Sequence, residues 1–265
     1  MTKREMDAST RKKARRILNI GMAVCVVALG FVVVRLVGIA AEYTAAADAY
    51  ESLMLQYAPA PAEDMEKADD PAHRAQLILD AAEGRAQTAR ELMALNGDYI
   101  GWLEISGTDI SYPVVRGEDN EVYLKRTFLG ESNPAGSLFM DASNSRGFEG
   151  LHAVIYGHNM KDGSMFGTLD AYLNETFLEA HPYITITTTE GRRLTYCVFQ
   201  AIKTTSSDAL YEKSILNVMS DGYEAFMDLM RERALPGGTI SVLTLSTCGT
   251  GGGSARVLVH AAYVG

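Results

Sequence analysis

Cysteine is scarce in this chain: Cys25, Cys197 and Cys248 are the only three in 265 residues. Three is too few, and odd in number, for a disulfide framework. Cys25 lies in an apolar N-terminal run, so at most one intradomain bridge is possible. Cys197, inside the strand-like TYCVFQAI, is expected to be a small buried hydrophobe. No C-x-x-C or H-E-x-x-H spacing occurs, which leaves a structural zinc site without support. No G-x-S-x-G occurs either, which removes the serine-hydrolase elbow. The segment GTGGGSAR lacks the Lys-Ser/Thr ending of a P-loop and precedes a strand rather than a helix.

Positive charge is also in deficit, and what there is lies at one end. The net charge is -9, yet residues 1 to 16 hold Lys3, Arg4, Arg11, Lys12, Lys13, Arg15 and Arg16 against Glu5 and Asp7, about +5. The rest of the chain is then about -14. An acidic body argues against nucleic acid as a partner, because phosphate binding needs a basic face.

The apolar run Ile17 to Val34 carries no charge and is followed by Arg35 and LVGIAA. A helix needs about 20 apolar residues to cross a bilayer, and an arginine near the end can snorkel to the interface. The spacing therefore predicts a basic cytoplasmic tail (1–16), a transmembrane anchor (17–41) and the remaining chain outside, by the positive-inside rule. A cleaved signal peptide is the alternative, but the run exceeds the usual 7 to 15 apolar residues of one. Residues 42–57 and 71–95 are rich in helix formers and are separated by the linker APAPAEDMEKADD, so 42–95 is expected to be a helical stalk with N-terminal helices.

From Tyr99 the texture changes to short apolar runs between turn residues: YIGWLEI, ISYPVV, GSLFMD, LHAVIYGH, YITITTT and LTYCVFQAI, with two more inside Thr239 to Val264. Such spacing suggests an antiparallel sheet closed into a sandwich or barrel. Two helical inserts are expected, SMFGTLDAYLNETFLEAH and DGYEAFMDLMRERAL. The second carries Tyr223, Phe226, Met227 and Met230 at helical spacing, a packing stripe.

Cys248 stands at the end of one apolar run, beside a glycine-rich segment, and Arg256 opens the next. A thiol is a weak nucleophile until a base or positive charge favours the thiolate. Of five histidines, His73 and His181 are expected to be solvated and His260 to be a packed or rim residue. His152 opens LHAVIYGH and His158 ends it, before the turn-rich NMKDGSMFG. Position alone barely separates these two as candidate bases.

The residues TLSTC (Thr244 to Cys248) followed by Arg256, together with YGHNMKDGSMFGTL and NGDYIGWLEISGTDISYPVV, resemble the sortases, and closely the class B group. The resemblance covers about Asn96 to Gly265, the expected catalytic domain. It implies a mainly β fold with helical additions: a closed eight-stranded barrel, N-terminal helices, and a helix inserted before the penultimate catalytic strand. It also implies a cysteine transpeptidase acting on surface proteins with a C-terminal sorting motif of the NPxT or (S/P)PxTG kind. By the resemblance, Cys248 is the nucleophile, His158 the acid and base, and Arg256 the oxyanion and backbone contact; Ser246, Thr247, Tyr156 and Asn159 are candidate substrate contacts. The implied acceptor is an amine of peptidoglycan or its lipid-linked precursor, and no metal or cofactor is required. Two other readings stand beside this one: a cysteine protease that uses water as acceptor, and a membrane-tethered β-domain that binds peptide or wall polymer without catalysis.

Overall fold

The structure is a computed structural model that describes residues 3–59, 70–144, 147–148, 152–205, 241–248 and 255–265. The chain divides into two units, Met1–Ala45 and Ala46–Gly265. In the first unit the apolar side chains from Ile17 to Ile39 are exposed, on helix α1 (Lys3–Tyr57). Among the described residues one helix is long and apolar enough to cross a membrane, and this run supplies it.

The second unit is built on a closed barrel. Its strands are β1 (Tyr99–Ile105), β2 (Ser111–Val115), β3 (Leu138–Met140), β4 (His152–Gly157), β5 (Tyr183–Thr188), β6 (Arg193–Thr205), β7 (Val242–Cys248) and β8 (Ala255–Tyr263). Around the barrel they run β1-β2-β3-β4-β7-β8-β6-β5, and β5 pairs back onto β1. The sheet is not antiparallel throughout, as its strand spacing suggested: β2/β3 and β4/β7 are parallel, because the chain between them crosses over instead of turning back in a hairpin, and the other pairs are antiparallel. Each expected apolar run from Tyr99 onward forms a strand, so the eight-stranded barrel is observed.

Leu103, Leu138, Ile155, Ile184, Ile186, Leu243, Leu245 and Val259 are fully shielded and form the centre of the core. Strand β1 is buried on both faces, with Trp102 as shielded as Leu103. The second face is covered by α2 (Pro71–Leu95), which buries Ala89 and Leu92. The β5–β6 turn seats under α2: Arg85 Nε donates to the Gly191 carbonyl at 2.9 Å. Gly191 has φ +77°, and a Cβ there would strike the Ala82 carbonyl, so only glycine fits.

The helical insert at 164–181 is not continuous. It forms a 3-10 turn (Leu169–Leu173) and a short helix α3 (Glu175–Ala180), because Asn174 is extended and its side chain accepts the Thr176 N–H at 2.9 Å. An asparagine in that role starts a new helix rather than continuing an old one. The expected helix at residues 222–235 lies outside the described residues. His181 is half-exposed at the end of α3, where its ring packs on Phe177 at 4.4 Å and Nδ1 donates to the Ser106 carbonyl at 2.9 Å. Cys197 is buried, as expected of a small hydrophobe.

Candidate active site

The site is set by strand register. Strands β4 and β7 run parallel with Tyr156 beside Ser246 and Gly157 beside Thr247. The next residues, His158 and Cys248, therefore leave adjacent strands side by side at the same end of the barrel. On the other flank, β7 and β8 are antiparallel and Cys248 is the direct partner of Arg256. Three chain segments far apart in sequence thus converge on one rim. The Cys248 side chain itself lies outside the described residues.

A groove of about 310 Å³ opens here, lined by Asn120, Leu124, Phe139, Tyr156, Gly157, His158, Ser246, Thr247 and Arg256. Five of the sequence candidates, Tyr156, His158, Ser246, Thr247 and Arg256, share this lining. Asn159 stands outside it, bridged through its backbone to Met165. Four wall residues, Asn120, Leu124, Phe139 and Gly157, were not among the candidates. Asn120 and Leu124 sit in a turn and a 3-10 stretch with no periodic signal, and Phe139 reads as ordinary core.

His158 is held at both ends. Its Nε2 lies 2.7 Å from the Leu124 carbonyl. A carbonyl only accepts, so Nε2 carries a proton and Nδ1 is the nitrogen that can exchange one. Its backbone carbonyl accepts the Phe166 N–H at 3.0 Å. Gly157, just before it, is tightly enclosed: a Cβ would lie 2.5 Å from Leu138 Cδ2 and 2.6 Å from Phe166 Cδ2. Both neighbours are fully buried and cannot yield freely. Gly157→Ala is expected to lower unfolding free energy by roughly 1–3 kcal/mol, measurable by chemical denaturation.

Tyr156 and Asn120 are tied together through Asp141, which follows β3. Its carboxylate accepts from Tyr156 Oη at 2.8 Å, Asn120 Nδ2 at 3.0 Å, and the Ser143 hydroxyl and N–H at 2.6 and 2.8 Å. Burial pushes the Asp141 carboxyl up, but these donors outweigh it and hold it below the usual range. An ionised acceptor strengthens each of these bonds and fixes two walls of the groove.

His152 and His260 belong elsewhere. His152 Nε2 and His260 Nδ1 each lie 2.8 Å from the Thr244 hydroxyl, so one threonine joins the two rings within the barrel wall. Burial lowers both imidazoles to about 4. A neutral, buried ring bonded to threonine serves packing, which separates His152 from His158 where position along the strand could not.

Comparison with known proteins gives the family. The Sortase domain family model matches residues 103–264. The chain belongs to the sortase family. It is 36% identical to sortase B of Listeria monocytogenes over 167 residues, 61% of this chain and 67% of that protein. It is 33% identical to sortase B of Staphylococcus aureus over 163 residues, 59% of this chain and 66% of that one. Among solved structures it is similar to a Staphylococcus aureus sortase B–substrate complex (TM-score 0.61, 26% identity, 84% of this chain and 98% of that chain). It is also similar to a mutant form of Clostridium perfringens sortase B (TM-score 0.59, 30% identity, 70% of this chain and 90% of that one). The sortase is thus of the class B kind, a cysteine transpeptidase by family.

Proposed function

We propose that this sortase is a membrane-anchored transpeptidase that cleaves a C-terminal sorting motif of the NPxT or (S/P)PxTG type on surface proteins and transfers them to a peptidoglycan amine. The observation that supports it is the register that brings Cys248 between His158 and Arg256 at the head of a groove. Substrate lies along that groove, with Ser246, Thr247 and Tyr156 in contact with it. The Cys248 thiolate attacks the threonine carbonyl of the motif, and the Arg256 guanidinium stabilises the oxyanion as it forms. The His158 imidazolium protonates the leaving amine, so the C–N bond breaks and a thioester is left on Cys248. The acceptor amine then attacks the thioester, His158 takes its proton, and the thiolate leaves. An acceptor in the cell wall requires the barrel outside the cell, which matches a basic N-terminal tail followed by an apolar span.

The test uses the full chain in detergent with a panel of sorting-motif peptides, with and without an added amine. Expected are cleavage between threonine and the following residue, an acyl adduct on Cys248 seen by mass spectrometry, and incorporation of the amine. A product that never incorporates the amine would identify a protease instead. Absence of cleavage and adduct across the panel would leave the non-catalytic binding domain.

A further inference from the structure

Tyr50 lies in α1, outside the stretch that matches the family, yet it is wired to both segments that hold His158. It is buried, at 4% exposure. A tyrosine hydroxyl offers one proton and accepting lone pairs. Here it donates to the Gly136 carbonyl at 2.7 Å, accepts the Phe128 N–H at 3.1 Å, and lies 3.0 Å from Ser137 Oγ. Ser137 in turn bonds the Arg126 carbonyl through its hydroxyl at 2.8 Å and the Tyr123 carbonyl through its N–H at 3.0 Å. One side chain from a helix therefore cross-links the 123–137 loop from within. That loop supplies the Leu124 carbonyl that fixes the His158 ring.

The second link runs through aromatic packing. The Tyr50 ring meets Tyr112 edge to face at 5.5 Å, and the Tyr112 hydroxyl accepts the Met165 N–H at 3.1 Å. Met165 has φ +54°, the one positive value among the described non-glycine residues. Such a conformation is disfavoured for a residue with a side chain and persists only where neighbours enforce it. Met165 closes the turn that begins at His158, through its bridge to Asn159 and the Phe166 N–H on the His158 carbonyl.

We infer that Tyr50 is a positioning residue for His158, acting through the 123–137 loop on the imidazole and through Tyr112 on the turn that follows it. The inference rests on the transpeptidase reading for its kinetic consequence, but not for the placement of the ring. Other buried residues on the same face of α1, Ala46 and Leu53, supply apolar contact only. Loss of the Tyr50 hydroxyl instead strands a buried N–H and carbonyl in the loop that holds the histidine.

The test compares Tyr50→Phe with Leu53→Ala in the full chain in detergent. Tyr50→Phe keeps the ring on Tyr112 and removes the hydroxyl; Leu53→Ala removes buried apolar bulk from the same helix and no hydrogen-bonding group. Tyr50→Phe is expected to lower kcat about tenfold with KM within about twofold, and to shift the His158 imidazole resonance in a ¹³C-histidine NMR spectrum. Leu53→Ala is expected to lower the thermal midpoint while leaving that resonance and kcat in place. A wild-type His158 resonance in Tyr50→Phe would overturn the inference. So would a loss of kcat in Leu53→Ala that matches that of Tyr50→Phe at equal stability. If the wild-type chain cleaves no peptide, the transpeptidase reading fails, and the resonance alone still decides the role of Tyr50.

Discussion

Cys248→Ala is expected to reduce cleavage of a sorting-motif peptide by at least about 10³-fold and to abolish the acyl adduct, with the peptide still bound. The reason is the position of residue 248 in the barrel. It is the last residue of β7, paired across to Arg256 and leaving the sheet beside His158. A nucleophile there has a proton-transfer partner on one flank and a fixed cation on the other, a combination no other described residue of the groove reproduces. The groove walls, Asn120, Tyr156 and Phe139, are untouched by the substitution, so binding and catalysis separate. Peptide cleavage is measured at saturating substrate, and binding by fluorescence polarisation. Cleavage by Cys248→Ala within tenfold of wild type would remove Cys248 as nucleophile and with it the thioester.

The second large effect is a loss of stability in mild acid. His152 and His260 are both lowered from the usual 6.5 to about 4: in each, burial disfavours the cation, and for His260 the charge of His152 adds to it. In the unfolded chain these rings bind protons near pH 6.5, whereas in the barrel they stay neutral until about pH 4. Between these values the unfolded state carries more protons, so the free energy of unfolding falls as the pH falls. It is fully present above about pH 6.5. A single histidine moved this far is worth on the order of 3 kcal/mol. The two share the Thr244 hydroxyl, so their contributions do not simply add. Denaturation curves at pH 7, 5.5 and 4.5 are expected to show a loss of a few kcal/mol, and His260→Gln should flatten the slope. Equal stability at pH 7 and 4.5 would refute this account. The Asp141 carboxyl, held below the usual range, loses its contribution only at lower pH, so the two transitions are separable.

How legible the site was depends on the residue. Cys248 and Arg256 stand within one short segment, with glycines between them, and the strand partnership of the pair is what a tight reversal between two apolar runs produces. His152 opens β4 and His158 directly follows its last residue, and nothing local distinguishes them. The barrel does, by directing His152 onto Thr244 and His158 onto the Leu124 carbonyl. Asn120 and Leu124 were invisible because their place in the groove depends on a loop held by Asp141 and Tyr50, contacts across 21 or more residues of chain. Asn174 marks a different limit: the insert 164–181 is expected to be helical, and the extended Asn174 with its capping side chain divides it into a 3-10 turn and a short helix.

By itself the sequence determined the eight strands, the two long helices, the apolar N-terminal span and the segment bearing Cys248 and Arg256. These follow from periodicity, helix propensity and run length, which act within a few residues. Only the tertiary structure decided which strands are neighbours, which histidine leaves its strand beside position 248, and that a tyrosine of α1 reaches the loop behind that histidine. Those outcomes rest on β4 and β7 pairing in parallel across more than eighty residues of chain, and on buried polar groups finding partners at a distance. Neither leaves a local pattern in the order of the residues.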